Sequence, residues 1–262
     1  MNSNNFLVIG DFCIDYFIYG TTDRINPEVP VPIFKPVEVV ENLGMAGNVA
    51  ENLSSLGHTV DLICNKNKIF KKRYVDKESN HMHLRVDEDD FVNKKDSFQN
   101  FQNIKFSKYN AIIITDHNKG FLSHKDIEKI TKSHDHVFVQ TNKIIGDWVS
   151  EALYIKLNKK EYEKSEKAIF DNTLIKSKLI ITDGSNGAYF QDKHYPVNKN
   201  IVTRDLSGAG DTFLSVFASE IISGKNHDEA IINSQIAASK VVQKRGVSKV
   251  GNCDISINFL NL

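Results

Sequence analysis

The sequence predicts an α/β protein, a three-layer sandwich with a mostly parallel central sheet and helices on both faces. Short apolar runs of strand length alternate with segments whose apolar residues recur at helical spacing. The runs are apolar throughout, as strands buried on both faces are. Two further stretches alternate apolar with polar residues and predict a small β flap outside the main sheet.

Phe6–Ile9, ending at Gly10, reads as the first strand. Thr59–Cys64, Ala111–Thr115, His136–Gln140, Leu153–Leu157 and Lys178–Thr182 are five more. Between them Val49, Leu53 and Leu56 mark a helix that Gly57 would stop. Ser123 and Asp126 form a capping box before Ile127 and Ile130. Phe213, Leu214, Phe217 and Ile221 line one face of a helix ending near Gly224. Ile231, Ile232, Ile236, Val241 and Val242 line another, with Asp228 as its N-cap. The flap is predicted over about residues 16–41, which hold four of the five prolines, and about 72–87. Asn65–Lys72 reads as a polar, basic loop. All of this belongs to one domain over residues 1–262, because the length suits a single core and no repeat or linker divides it.

Composition narrows the function. With 40% hydrophobic and 25% charged residues the chain is globular. Lys plus Arg and Asp plus Glu both number 33, which argues against nucleic acid held by bulk charge. No apolar run is long enough for a bilayer. The polar N-terminus shows no basic-then-apolar leader, so the expected location is the cytoplasm. Cys13, Cys64 and Cys253 are far apart and lack C-x-x-C spacing, which predicts reduced thiols and no metal site.

The sharpest chemistry lies at residues 203–213, a small-residue turn opening into an amphipathic helix. Gly208, Ala209 and Gly210 let backbone N–H groups approach a ligand, and the helix dipole points the same way. That is an anion cradle suited to a phosphoryl group. Asp211 stands beside it in the first turn. A carboxylate there would repel a static phosphate, but it makes sense as a base for a hydroxyl attacking phosphorus. The same residues also suit an ordinary helix start.

The longer segment RDLSGAGDTF (204–213) closely resembles the second signature of the ribokinase-like (PfkB) carbohydrate kinases. Other segments agree in order: VIGDFCIDYFIYGTTDRINPEVPVPIFK, ENLGMAGNVAENLSSLG, RYVDKESNHMHLRVDEDD (73–90), TDHNKGFLS (115–123), KLNKKEYE (156–163) and TDGSNGAYF (182–190). The first two look like the start of that family's heptose-phosphate kinases, which act in ADP-heptose biosynthesis. The resemblance implies a ribokinase-like fold, a kinase using ATP and Mg²⁺, and a sugar or sugar-phosphate acceptor, with heptose 7-phosphate the best single choice. It also implies flap strands that pair between two copies.

Carried over by position, Asp211 becomes the general base, with the Gly208, Ala209 and Gly210 amides forming the anion hole. Asp15 and Asn48 would hold sugar hydroxyls, Gly44 would let the backbone come close, and Arg85 and Lys119 would join the acceptor site. Asn158 and Glu161 would organise Mg²⁺ and the nucleotide phosphates, Glu161 through water. Thr182, Gly184 and Gly187 would line the nucleotide pocket, with Asn233 near the adenine.

Simpler roles compete. Asp15 could merely start the flap, and Asn48 could be an N-cap. Asn158 with Glu161 has capping-box spacing. Arg85 and Lys119 could pair with surface carboxylates, and Thr182–Gly187 could be a tight turn. The sequence also departs from the family. Met45 replaces a glycine, so its side chain either narrows the sugar pocket or packs beneath the loop. Leu206 stands where Thr or Val is usual, and His117 and Asn118 replace Tyr-Gly. After Cys64 a loop, helix and strand are missing, which predicts a deleted edge unit and an exposed strand edge for a partner chain to cover. A kinase for fructose 6-phosphate or a nucleoside, and a catalytically silent nucleotide- or sugar-binding relative, therefore stay open beside the heptose kinase.

Overall fold

The computed structural model describes residues 3–98, 103–197, 201–251 and 257–260. In chain order the elements are β1 (Asn5–Gly10), β2 (Phe12–Ile25), β3 (Pro32–Met45), α1 (Ala46–Ser55), β4 (Thr59–Cys64), β5 (Ile69–Asp76) and β6 (Met82–Glu88). There follow β7 (Ala111–Asp116), α2 (His124–Thr131), β8 (Val137–Thr141), β9 (Tyr154–Asn158), α3 (Lys159–Ser165), α4 (Thr173–Lys178), β10 (Leu179–Thr182), β11 (Ala188–Phe190) and β12 (Lys193–Tyr195). The chain closes with α5 (Ala209–Ile222), α6 (His227–Val241) and β13 (Ile257–Phe259).

The six apolar runs become β1, β4, β7, β8, β9 and β10. They join β11, β12 and β13 in a nine-stranded sheet ordered β12-β11-β10-β9-β8-β7-β1-β4-β13. From β10 to β13 every neighbouring pair is parallel, and β11 and β12 add an antiparallel margin. Each central strand feeds two cores. In β1, Phe6 and Val8 pack with Val49 and Leu53 of α1 and with Phe213 and Phe217 of α5. Leu7 and Ile9 face the other way, toward Ile127 and Ile130 of α2 and Ile175 of α4. Burial on both faces explains why these strands do not alternate, and each such side chain contributes roughly 1.5–3 kcal/mol.

The flap is a four-stranded sheet ordered β3-β2-β5-β6. Its hairpins β2–β3 and β5–β6 are antiparallel, but β2 and β5 run parallel, which the sequence reading did not anticipate.

Four other expectations are corrected. The edge of β4 is not open: β13, from the end of the chain, pairs with it, and Asn258 Nδ2 donates to Asp61 Oδ1 at 3.0 Å. Asn65–Lys68 alone bridges β4 to β5, and buried Asn65 fastens that bridge by accepting from Phe12 N–H at 2.7 Å. The last helix is capped by Asn226, whose Oδ1 accepts from Glu229 N–H, while Asp228 pairs with Lys193. Ile232 and Ile236 are half exposed, and Ala230, Ile231, Ser234, Gln235 and Val241 form the buried face instead. The capping box of Ser123 and Asp126 is present as expected. Cys13 and Cys64 are free thiols, and Cys253 lies outside the described residues. Among those residues no helix is long and apolar enough to cross a membrane.

Candidate active site

In a parallel sheet the loops beyond the carboxyl ends of the strands gather on one side, and ligands bind there. Asn158, Thr182 and Gln140 stand at the carboxyl ends of β9, β10 and β8, and the amino end of α5 faces them.

Gly208 is the N-cap of α5 at φ 80°, a left-handed conformation that costs glycine little. Helix geometry leaves the first amides of α5 without intrahelical acceptors. Ala209 N–H turns back to Leu206 O at 3.3 Å. Asp211 is buried in the first turn. Its Oδ2 accepts from Asn48 Nδ2 at 2.9 Å and its Oδ1 from Gln140 Nε2 at 3.2 Å. Lys156 Nζ donates to Gln140 Oε1 at 3.0 Å, and a Cβ on Gly210 would stand 2.8 Å from that ammonium. Burial pushes Lys156 below the usual lysine range, against the pull of Glu161 and Asp211.

Asn48 does not cap α1. Met45 holds that position, and the Asn48 side chain reaches Asp211 instead. Met45 itself has φ 56° and ψ −124°, a region natural to glycine, and its side chain is buried with Cys13 and Ile69. Of the two expectations for Met45, packing beneath the loop is the one realised. Met45→Ala loses that packing and keeps the backbone strain, whereas Met45→Gly loses the packing and relieves strain of about 1–3 kcal/mol. The expected outcome is that Met45→Ala melts below Met45→Gly, with acceptor ranking unchanged in both. The reverse order in a thermal melt would contradict it.

The flap's inner face lies over this corner. Asp15 is buried and paired with Arg73 at 2.5 Å, and Arg73 also sits 5.0 Å from the centre of the Phe17 ring. A Cβ on Gly44 would collide with the Asp15 carboxylate and Cys13 Sγ, so this glycine makes room for Asp15. Asn42, opposite Asp15 in register, has a buried Nδ2 with no hydrogen-bond partner among the described residues. Lys71 shares that face, opposite Asp15 and Asp87 in register, and forms no ion pair within 4 Å among the described residues. Arg85, opposite Arg73 in register, and Lys119 each hold a carboxylate. Arg85 forms a double hydrogen bond with Asp87, both contacts at 2.7 Å, and Lys119 pairs with Asp90. At the flap's tip Asn80 Nδ2 donates to Arg204 O at 3.0 Å, and the Arg245 guanidinium donates to Lys77 O at 3.1 Å. These bonds fasten the flap to the loop before α5 and to the segment after α6.

Beside the first turn of α5 a cavity of about 590 Å³ opens. Lys156, Asn158, Thr182, Gly184, Gly187, Ala209 and Gly210 line its polar side, and Val197, Ile201, Ala238 and Val242 its apolar side. Asn158 and Glu161 form a true capping box: Glu161 Oε2 accepts Asn158 N–H at 2.7 Å, and Asn158 Oδ1 accepts Glu161 N–H at 2.9 Å. Gly184–Asn186 is a 3-10 turn, so the tight-turn reading of that segment also holds, but the turn lines the cavity. Asn233 is corrected: its Nδ2 donates to Glu220 Oε2 at 3.0 Å, away from the cavity, and Gln235 lines the wall instead.

The structure therefore brings Asp211, Asn48, Gly208 and Gly210 together, and it adds Gln140 and Lys156. Sequence reasoning missed both, along with Arg73, Asn42 and Lys71. A polar residue at the carboxyl end of an apolar strand was the available signal.

The pfkB family carbohydrate kinase pattern matches residues 77–252. The chain is 28% identical over 304 residues to the bifunctional protein HldE of Vibrio parahaemolyticus, covering 97% of this chain and 63% of that protein. The bifunctional protein HldE of Haemophilus influenzae is also 28% identical, over 300 residues, with 95% and 62% covered. The chain thus spans less than two thirds of the length of these relatives. Among solved structures it resembles ribokinase from Thermotoga maritima, with a TM-score of 0.68 at 18% identity and 93% and 94% of the two chains covered. It also resembles phosphofructokinase-2 from Escherichia coli, with a TM-score of 0.67 at 13% identity and 96% of each chain covered. These structural likenesses show a ribokinase-like α/β fold.

Proposed function

This chain belongs to the pfkB family of carbohydrate kinases and is a phosphotransferase acting on a sugar hydroxyl; from that premise we propose that it phosphorylates a sugar phosphate, with heptose 7-phosphate as acceptor and Mg²⁺·ATP as donor. The observation that carries this reading is the place of Asp211, buried and held by Asn48 and Gln140 next to Ala209 and Gly210, which line the 590 Å³ cavity.

The residues fit the nucleotide. The cavity joins an apolar wall suited to a base to a polar end where Lys156 and the first amides of α5 meet phosphates. They also fit a magnesium ion that keeps several waters. Glu161 commits Oε2 to its capping box, and Oε1 accepts no hydrogen bond among the described residues, so it would hold that water shell. When bound, the ion neutralises charge on the phosphates. The chain's own residues do the rest. Asp211 takes the proton of the acceptor hydroxyl as its oxygen forms a bond to the terminal phosphorus. The bond from that phosphorus to the bridging oxygen breaks, and ADP leaves. The Gly208 and Gly210 amides stabilise charge on the transferring group. The fastened flap excludes water, which would otherwise accept the phosphoryl group.

A phosphorylated acceptor is favoured over a nucleoside because the inner face carries three cations, Lys71, Arg73 and Arg85, against two carboxylates, Asp15 and Asp87. The uncommitted Nδ2 of Asn42 is suited to an acceptor oxygen. Phosphorus NMR of the product tests the reading: a new phosphate ester on the sugar, beside the original one, is expected. Release of inorganic phosphate alone would oppose it.

The flap's outer face suits a second copy of the chain. Tyr16 stacks on Phe70 there at 6.1 Å, and Val39 and Leu84 are 59% and 56% exposed. Leu84→Glu is expected to shift a dimer to monomer in sedimentation without unfolding the protein. A parent chain that already sediments as a monomer would contradict this.

A further inference from the structure

Both amides that donate to Asp211 are fixed at their far ends. An ammonium only donates, so Lys156 at 3.0 Å identifies the end of the Gln140 amide facing it as oxygen. Gln140 Nε2 must then face Asp211 Oδ1, 3.2 Å away. On the opposite side Asn52 Nδ2 donates to Asn48 Oδ1 at 3.0 Å, which turns Asn48 Nδ2 to Asp211 Oδ2 at 2.9 Å. Asn52 Oδ1 in turn lies 3.4 Å from the Thr212 hydroxyl, the residue after the base. Each carboxylate oxygen thus holds one oriented N–H and keeps a lone pair.

The arrangement is costly to the fold. Gln140, Lys156, Asn48 and Asn52 are all buried, and Lys156 forms no ion pair within 4 Å among the described residues. A buried ammonium whose described protein contact here is a neutral amide destabilises the folded state, and apolar side chains of similar size would pack there without penalty. The network also spans four elements. Gln140 and Lys156 are paired in register across β8 and β9, while Asn48 and Asp211 come from α1 and α5. Any shift of these elements would turn the carboxylate.

Resting on the kinase reading above, we propose that Gln140, oriented by Lys156, is a positioning residue that acts with Asn48 to fix the plane of the Asp211 carboxylate against the acceptor hydroxyl. Gln140 itself does not line the cavity and acts through Asp211. Lys156 has two further N–H donors and lines the cavity assigned to the nucleotide, so the base is tied through a single amide to a side chain of that cavity.

The test uses the full chain carrying Gln140→Leu, Lys156→Met or both. Gln140→Leu should lower kcat about 10- to 100-fold, the usual effect of misplacing a reacting group. Acceptor KM and ADP affinity by calorimetry should stay within about twofold of the parent. Lys156→Met should lose at least as much kcat and weaken ADP as well. The double variant should lose no more kcat than Lys156→Met alone, because both act through one contact. A second measurement needs no turnover: with glutamine nitrogen-15 labelling, the Gln140 side-chain amide signals, identified by their loss in Gln140→Leu, should move in Asp211→Asn and in Lys156→Met. Parental kcat in Gln140→Leu, a loss confined to KM, or amide signals indifferent to Asp211→Asn would each overturn the proposal. Absence of turnover by the parent chain, with those signals still responding to Asp211→Asn, would sink the kinase reading alone.

Discussion

Asp211→Asn is expected to lower kcat by about 10²–10⁴-fold, the worth of a positioned base, while ADP binding persists. The substitution keeps the shape of the side chain and removes its capacity to take a proton. It also has a structural effect whose size can be foreseen. Asp211 accepts from Asn48 on one oxygen and from Gln140 on the other. An asparagine presents one oxygen and one NH₂, so one of those donors would face another donor. A buried polar group left without its partner costs about 1–3 kcal/mol. The melting temperature should therefore fall by a few degrees, with the fold retained. Loss of turnover with ADP affinity intact would assign Asp211 to the chemical step. A variant with near-parental kcat would remove it from that role.

Gly208→Ala should have the second-largest effect, and for two separable reasons. At φ 80° an alanine is strained by roughly 1–2 kcal/mol. Its Cβ would also stand 2.6 Å from Asn48 Nδ2, the atom that donates to Asp211. Asn48 would have to move, and with it one end of the base's support and the amide at the mouth of the cradle. A loss of about 10²–10³ in kcat is expected, comparable to removal of one donor from an oxyanion site. Gly224→Ala separates the two causes. Gly224 has φ 88° just beyond α5, and nothing lies within 4 Å of an added Cβ. That variant should lose similar stability and keep kcat. If both variants lose kcat equally, backbone strain rather than contact with Asn48 is responsible.

What could be read from residue order follows a physical boundary. Apolar runs, helix periods and the glycine loop are local patterns, and they located the central strands and α5 with Asp211 in its first turn. The roles of Gln140 and Lys156 were not legible, because they depend on the parallel register of β8 and β9. That pairing joins residues 16 apart in the chain and leaves no periodic trace. Asn48 illustrates the same limit: its two sequence readings were cap or sugar ligand, and the structure gives the cap to Met45 and brings the Asn48 side chain to Asp211, 163 residues away. On α6, apolar spacing alone placed Ile232 and Ile236 inside, but the helix buries Ser234 and Gln235 instead, and Gln235 lines the cavity. The absent edge unit could be counted from the sequence. Its replacement by β13 could not, because that strand is three residues long and pairs with β4 from the far end of the chain. Met45 is the opposite case. The family's glycine at this position signalled an unusual backbone, and the structure shows φ 56° there. Asn118, likewise in place of a glycine, takes φ 58°, a conformation asparagine tolerates better than most residues.

The most direct measurement is ADP release by the parent chain with Mg²⁺·ATP and a panel of acceptors: heptose 7-phosphate, fructose 6-phosphate, the corresponding free sugars, and a nucleoside. The account predicts acceptor-dependent ADP release that is greatest for heptose 7-phosphate, is lower for the unphosphorylated sugars, and disappears in Asp211→Asn. ADP release that is independent of any acceptor, or ATP binding with no turnover across the panel, would contradict it.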